Sequence, residues 1–321
     1  SAPLWSLPCM GLAPGAKGSP FLRPSGVAPV FLPYITLEVM VKMDSVCCAL
    51  FYTLFWGQPF VIVGGVVWLV KALVTSTSSG RTLLLALVLA CVLVEFAALL
   101  FVWTRGSLQC GTRWARFCNC ALVRRATRAM GCRIEFTGGA AQPQQRSTRF
   151  ILGIHPHGIS AIERVLFWGA RDERWDRAFP GVDTRDLIAS TLMLAPGARL
   201  WCLWSGCVAA GRQTAKRVLQ STDCSLLLYP GGEKEALLAS PDHHAVYVLR
   251  HKGFCRLALE HGADLLPCYV FGATQQFSTS TWLMGLRRWV QSTLSIAVPL
   301  FWGNALLPWV PRRSRPLVAV V

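Results

Sequence analysis

Residues 149–169 read RFILGIHPHGISAIERVLFWG, and this stretch indicates how the chain folds. An apolar run of strand length leads into His155, because the residue before a proline is pushed toward an extended conformation. Gly158 tolerates left-handed backbone angles and releases the chain into a helical pattern over 159–168. The stretch therefore predicts a strand that ends at two histidines, His155 and His157, followed by a turn and a helix.

Short strand-like and helix-like runs alternate from here to the end of the chain. This alternation is typical of an α/β domain with a mixed, largely buried sheet flanked by helices. In open α/β sheets, ligands bind at the carboxyl ends of the strands, so the two histidines stand at a favoured position for chemistry. The predicted strands are 133–137, 150–155, 186–192, 225–229, 264–271 and 317–321.

Composition and apolar runs divide the chain into three parts. Residues 1–42 are rich in proline, glycine and serine, which predicts a disordered N-terminal segment. Two apolar runs within 43–106 each approach the roughly 20 residues that a membrane-spanning helix needs, so we predict a transmembrane hairpin. A pair of buried core helices is the alternative. The α/β domain then occupies 107–321.

The charge of the chain restricts its partners. Hydrophobic residues make up 53% of the 321 residues and the formal net charge is +16. This combination favours a membrane protein that faces anionic lipid or an anionic substrate. The basic residues are not concentrated on a groove-reading element, so we expect no nucleic-acid partner. The thirteen cysteines form no CxxC pair, and we predict no metal site.

A second stretch, SLLLYPGGEKEALL at 225–238, completes the predicted site. A strand-like run leads into a tight turn at Pro230, Gly231 and Gly232 and then into a helix that begins with two glutamates. Backbone N–H groups of a glycine turn can hydrogen-bond a developing oxyanion. A carboxylate at Glu233 or Glu235 can orient an imidazole. The alternative is that the glutamates only favour the helix N-terminus through the macrodipole.

A third stretch carries three cations ahead of an apolar strand. Arg250, Lys252 and Arg256 cluster around Gly253, and cations near a helix start suit phosphate groups. Charged helix starts are common, so this pattern alone is a weak signal.

Other motifs are absent: the sequence has no Gly-x-Ser-x-Gly elbow, no P-loop and no GxGxxG loop.

Four stretches together, HPHG at 155–158, YPGGEKE at 229–235, HKGFCRLALEHGADLLPCYVFG at 251–272 and PLFWG at 299–303, resemble the type-2 diacylglycerol acyltransferase family. That family includes monoacylglycerol and wax-ester acyltransferases. The resemblance implies a membrane-anchored enzyme of the endoplasmic reticulum, its active site facing the cytosol, or an enzyme at the lipid-droplet surface. It implies acyl transfer from acyl-CoA to diacylglycerol, giving triacylglycerol. Acyl-CoA is then a co-substrate, no cofactor is expected, and membrane lipid and a homo-oligomer are the further expected partners.

Acyl transfer to an alcohol needs a base, because a hydroxyl is a weak nucleophile at neutral pH. Imidazole, with a pKa of ~6.5, suits this task. We predict that His157 is the base, beside Gly158 where substrate can approach, and that His155 is its scaffold or the alternative base. The resemblance assigns Glu235 as the orienting carboxylate. The other predicted site residues are Gly158, Pro230, Gly231 and Gly232 for the turns and the oxyanion, and Arg250, Lys252 and Arg256 for the CoA phosphates.

Two departures from the family pattern keep alternatives open. Ala273 stands where the family usually has a glutamate, and the chain stops at Val321, where the family continues, so we expect a domain truncated at its C-terminus. A catalytically inactive membrane or lipid-droplet scaffold is the alternative of another class. Within the family, monoacylglycerol and fatty alcohols are alternative acceptors. Glu163, on the helix after HPHG, is either a catalytic or a surface residue.

Overall fold

The computed structural model describes residues 42–51, 53, 58–75, 79–80, 82–83, 85–90, 93, 96–97, 110–137, 149–168, 173–194, 198–242, 245–249, 251–294, 296–312 and 316–321. The predicted disordered segment, 1–42, lies outside this description except for its last residue. Arg250, one of the three predicted phosphate ligands, also lies outside it.

Nine strands lie in the described part of the chain: β1 (Arg133–Glu135), β2 (Phe150–His155), β3 (Thr184–Ile188), β4 (Val208–Ala209), β5 (Ser225–Leu228), β6 (Asp264–Phe271), β7 (Ser278–Thr279), β8 (Phe301–Trp302) and β9 (Val318–Val320). Seven of them form one sheet in the order β1-β9-β6-β2-β5-β3-β4. Neighbours in this sheet run parallel, except that β6 and β9 are antiparallel. The predicted α/β fold with a mixed sheet is confirmed.

The described residues also form these helices: α1 (Gln58–Thr75), α2 (Ala115–Cys118), α3 (Ala121–Ala129), α4 (Val165–Trp168), α5 (Glu173–Ala178), α6 (Ser190–Leu194), α7 (Ala198–Trp204), α8 (Arg212–Ser221), α9 (Gly232–Leu238), α10 (Gly253–His261) and α11 (Met284–Leu294).

Successive side chains of a strand point to opposite faces. Accordingly, Leu152 and Ile154 of β2 belong to one buried apolar cluster and Ile151 to another. Both faces of the central strand are therefore covered.

Two predicted elements are wrong in their detail. The strand predicted at 186–192 ends at Ile188, and residues from Ser190 onward form α6, since serine starts helices well and the leucines and methionine after it are good helix formers. The helix predicted at 159–168 is interrupted. Ala161 has a left-handed φ of 46°, a 3-10 turn follows, and only α4 at its end is α-helical.

The predicted transmembrane hairpin, 43–106, is only partly within the description. No helix among the described residues is long and apolar enough to cross a membrane. Much of the second predicted run, 83–103, lies outside the described residues. Helical residues 42–51 pack on the α/β domain, where Cys48 and Phe51 are buried in its larger apolar cluster. The Asp44 carboxylate there accepts a hydrogen bond of 3.1 Å from Arg125.

Candidate active site

Three neighbouring parallel strands, β6, β2 and β5, bring their carboxyl ends to the same edge of the sheet. His155 is the last residue of β2, the turn at Pro230 follows β5, and Ala273 follows β6 by two residues. Because ligands of open α/β sheets bind outside the carboxyl ends of strands, this edge is the expected place for a site. The two histidines and the glycine turn that the sequence singled out meet here.

Glu235, in the first turn of α9, holds this edge together. Its side chain is buried, and its Oε1 accepts hydrogen bonds from Nδ1 of His155 (3.0 Å) and from the backbone N–H of Tyr247 (2.7 Å). Its Oε2 accepts the backbone N–H of His157 at 2.8 Å. Burial raises the pKa of Glu235, but these hydrogen bonds outweigh it and leave the pKa below its usual value. The ionised carboxylate therefore fixes both histidines, His155 through its ring and His157 through its backbone.

Gly231 leaves the space that Glu235 occupies. A Cβ atom at position 231 would overlap the carboxyl group of Glu235. Only a residue without a side chain lets the carboxylate reach the two histidines from α9. The glycine after Pro230 is thus explained by close packing.

The imidazole of His157 faces a cavity and has a defined tautomer. Its Nδ1 donates a hydrogen bond of 3.0 Å to the carbonyl of Gly158, which can only accept. Nε2 therefore carries the lone pair when the ring is neutral. Burial lowers the pKa of His157 to about 4, so the ring is neutral at physiological pH. Its ring centroid lies 4.9 Å from that of Tyr229, which supports it from one side.

The cavity beside His157 has a volume of about 570 Å³, which is within the usual range of small-molecule sites. Pro230, Gly231 and Gly232 form part of its wall. Its basic groups are Arg164, Lys234 and His251. Much of the remaining wall is apolar and includes Phe51, Ile159, Ile162, Leu187, Leu192 and Trp201.

Two of the predicted turn glycines serve the fold rather than the substrate. Gly158 has a φ of +58°, and a Cβ there would lie 2.8 Å from the carbonyl oxygen of Ala273. The close approach that we expected for substrate at Gly158 is therefore made by the chain itself. Gly232 donates its N–H to the carbonyl of Tyr229 (3.0 Å), so this N–H is not free for an oxyanion.

Two of the predicted phosphate ligands, Lys252 and Arg256, are described by the structure and do not line the cavity. Lys252 caps the start of α10 and Arg256 lies in its first turn; both are exposed, and neither lines the cavity. Sequence reasoning missed Lys234, which lines the cavity from α9. Its position between two glutamates of a helix start was the only signal, and that signal also fits an ordinary solvent-facing lysine.

A buried polar cluster lies behind His157. Glu163 is 1% exposed, and its Oε1 accepts a hydrogen bond of 2.8 Å from the Tyr229 hydroxyl. The guanidinium of Arg164 lies 4.9 Å from the centre of the Tyr229 ring and 3.7 Å from the Asp186 carboxylate. Burial raises the pKa of Glu163 to about 7. Glu163 is thus a core residue that supports the aromatic ring on which His157 rests.

Replacing Glu163 with glutamine is expected to flatten the pH dependence of stability. The folded state, in which the pKa of Glu163 is about 7, keeps a proton that the unfolded chain releases near the ordinary value of 4.5. The contribution of Glu163 to the free energy of unfolding should therefore fall as pH rises through this window, and this decline should be complete above it, whereas the lowered pKa of His157 makes an opposite contribution that the parent and the variants share. Glu163→Gln stays neutral and should lose this decline. Chemical unfolding at about pH 5 and about pH 8 measures the difference.

The matched control for this experiment is Glu173→Gln, because Glu173 is an exposed glutamate in α5. It should keep the decline of the parent. An equal decline in the parent and in both variants would show that Glu163 is not protonated in the folded state.

Known proteins with similar sequences indicate the family of this chain. The model of the family described as diacylglycerol acyltransferase matches residues 110–321. The human 2-acylglycerol O-acyltransferase 3 is 29% identical over 168 residues, which cover 49% of this chain and 48% of that protein. The human diacylglycerol O-acyltransferase 2 is 28% identical over 184 residues, covering 54% and 47%. The chain thus spans about half the length of the curated relatives that it matches.

Among solved structures, the 1-acyl-sn-glycerophosphate acyltransferase PlsC from Thermotoga maritima matches with a TM-score of 0.33 and 13% identity, covering 75% of this chain and 76% of that one. A likeness this distant carries no argument about the site.

Proposed function

The chain belongs to the diacylglycerol acyltransferase family, and from this premise we propose that it transfers a fatty acyl chain from acyl-CoA to the free hydroxyl of diacylglycerol, giving triacylglycerol. The observation that carries the proposal is the neutral imidazole of His157. It faces an apolar cavity with Nε2 available as a proton acceptor, in a turn that Glu235 holds.

In the proposed reaction, Nε2 of His157 takes the proton of the acceptor hydroxyl while the hydroxyl oxygen attacks the thioester carbonyl of acyl-CoA. The tetrahedral intermediate then collapses, the C–S bond breaks, and the CoA thiolate takes the proton from the imidazolium. Nδ1 keeps its proton on the Gly158 carbonyl throughout. The negative charge of Glu235 favours the imidazolium electrostatically, since it acts to raise the pKa of His157.

The walls of the cavity fit the two substrates. Apolar side chains suit the acyl chain of the donor and the chains of a glyceride. Arg164, Lys234 and His251 offer donors to the anionic CoA moiety, in place of the exposed Lys252 and Arg256. Because phosphate recognition needs charge-assisted hydrogen bonds, we assign the CoA end of the donor to these residues.

Ala273 is one of the two departures from the family pattern on which the alternative of an inactive scaffold rested. This residue packs against Gly158 and is buried, and it is not part of the cavity wall or of the hydrogen bonds of His157 and Glu235. The proposed proton transfer therefore does not require a carboxylate at position 273. A location at the endoplasmic-reticulum membrane or the lipid-droplet surface, and a homo-oligomeric state, remain proposals that accompany this function.

An acceptor panel tests the proposed function. Membranes from cells deficient in neutral lipid, expressing the full chain, receive labelled acyl-CoA with diacylglycerol, monoacylglycerol or fatty alcohol. We expect labelled triacylglycerol to be the main product, because the proposed acceptor is diacylglycerol. If monoacylglycerol or fatty alcohol is acylated faster, that molecule is the acceptor and the reaction type stays as proposed. Absence of any acylated product, with the chain present in the membranes, would contradict the proposal and favour a scaffold.

A further inference from the structure

Helix α11 turns an apolar face toward solvent. Trp282, just before the helix, is 68% exposed, and Leu286 and Trp289 on the helix are 54% and 61% exposed. Leu286 and Trp289 are three positions apart on α11 and so lie on one face, and Trp282 stands in the turn that leads into the helix. Leu283 and Leu294 extend the exposed apolar surface at its two ends. A surface helix of a globular protein normally shows the opposite arrangement, with its apolar side against the core.

The inner side of the same helix carries a buried arginine. Arg287 is 5% exposed. Its Nε donates to the carbonyl of Val298 (2.7 Å), and its Nη1 donates to the carbonyls of Ser280 (2.7 Å) and Trp282 (3.3 Å). These bonds hold the Arg287 side of the helix inward and leave Trp289 on the outer side. The reversed polarity of α11 is therefore a fixed property of the fold.

The same element forms part of the wall of the catalytic cavity. Gln291 in the last turns of α11 lines the cavity, as do Ile296, Ala297 and Pro299 immediately after it. The exposed apolar face and the proposed acyl site thus belong to one short segment of chain. A lipid bound to the outer face of α11 is separated by this helix from the cavity that His157 lines.

We propose that the face formed by Trp282, Leu283, Leu286, Trp289 and Leu294 inserts into the interfacial region of an anionic lipid membrane, and that the glyceride acceptor enters the cavity past α11. Tryptophan favours the membrane–water interface, and leucine favours the hydrocarbon below it. Arg288, exposed on the same helix, and the formal net charge of +16 match anionic headgroups. This inference rests on the proposed function, since it supplies the route of that reaction's acceptor.

The kinetic test compares two forms of the acceptor. Trp282→Glu/Trp289→Glu in the full chain should raise the KM for diacylglycerol presented in anionic vesicles by roughly tenfold or more, because a charge opposes insertion. Its kcat on dihexanoylglycerol, a short and water-dispersed acceptor, should stay within about twofold of the parent, because the cavity is untouched. The control is Leu259→Glu on α10, a leucine that is 85% exposed and does not line the cavity. It should behave as the parent with both acceptors.

The physical test does not depend on activity. In vesicles of phosphatidylcholine and phosphatidylserine with brominated acyl chains, tryptophan emission of the parent should be quenched more than that of Trp282→Phe/Trp289→Phe. Equal quenching in both, together with an unchanged vesicle KM in the glutamate variant, would overturn the proposal. A glutamate variant that converts a dimer to a monomer without a change in KM would show that a second copy covers the face. If the parent transfers acyl groups to neither acceptor, the proposed function fails, and the quenching difference still decides the role of α11.

Discussion

Replacing His157 with alanine is expected to lower kcat for acyl transfer by roughly 10²–10⁴-fold, the usual contribution of a general base. The His157 ring lines the cavity from the turn at the end of β2, and its Nδ1 donates a hydrogen bond to the Gly158 carbonyl. The variant should still bind acyl-CoA, because the apolar and basic walls of the cavity are unchanged. Initial rates with labelled acyl-CoA over a range of concentrations separate kcat from KM.

The pH profile of the parent checks the same assignment. Only neutral imidazole accepts a proton, and the pKa of His157 lies at about 4. The value of kcat/KM should therefore stay level as pH falls from about 7 to about 5 and decline only near that pKa. His261→Ala is the matched control, since Nδ1 of His261 in α10 donates a hydrogen bond of 3.0 Å to the carbonyl of Leu257 in its own helix, and the ring does not line the cavity. An acid limb at the ordinary histidine value of 6.5 would contradict the assignment.

Replacing Glu235 with glutamine is expected to lower kcat by roughly 10²-fold or more. A glutamine amide offers one acceptor oxygen where the carboxylate offers two, so at least one of three partly buried partners loses its hydrogen bond. Each buried group left without a partner costs about 1–3 kcal/mol and frees the turn that positions His157. The loss of negative charge also removes a contribution that raises the pKa of His157. The acid limb of the residual activity should therefore move to lower pH, which a purely structural role would not cause.

Two further variants make the Glu235 result specific. Glu233→Gln changes a glutamate of the same helical turn, which lines the cavity but is not among the hydrogen-bond partners of either histidine, and it should keep activity within a few-fold of the parent. Gly231→Ala keeps the charge but displaces the carboxylate by overlap, and it should reproduce the loss. Full activity of Gly231→Ala, with the chain folded, would contradict the account of the Glu235 contacts.

The sequence was informative where one local rule determines the structure. Proline after His155 ended a strand, and apolar runs of strand length located β2 and β6 at their observed limits. The rule that ligands bind at the carboxyl ends of parallel strands then brought the HPHG turn and the turn at Pro230 to one edge. These features depend on few residues that are close in the chain, and for this reason they could be predicted.

What escaped prediction depends on contacts between distant residues. Glu163 and Tyr229 are 66 positions apart, and nothing in the apolar stretch around either one shows that they pair. Gly158 appeared to be a substrate-approach position, but the chain after β6 fills the space beside it. The exposed apolar face of α11 was not predicted, and the three hydrogen bonds of Arg287 show which side of the helix faces inward. Such outcomes are set by tertiary packing, which a single sequence does not display.

The most direct test of His157 as the base is a single-turnover measurement with labelled acyl-CoA and diacylglycerol, using the full chain in lipid nanodiscs. The parent, His157→Ala and His155→Asn are compared at about pH 7, where the parent's His157 is neutral. Asparagine places a donor near the position of Nδ1, so His155→Asn can keep the hydrogen bond to Glu235. We predict that His157→Ala loses roughly 10²-fold or more of the transfer rate, while His155→Asn stays within about tenfold of the parent. The reverse order, with His155→Asn inactive and His157→Ala active, would contradict the account and make His155 the base.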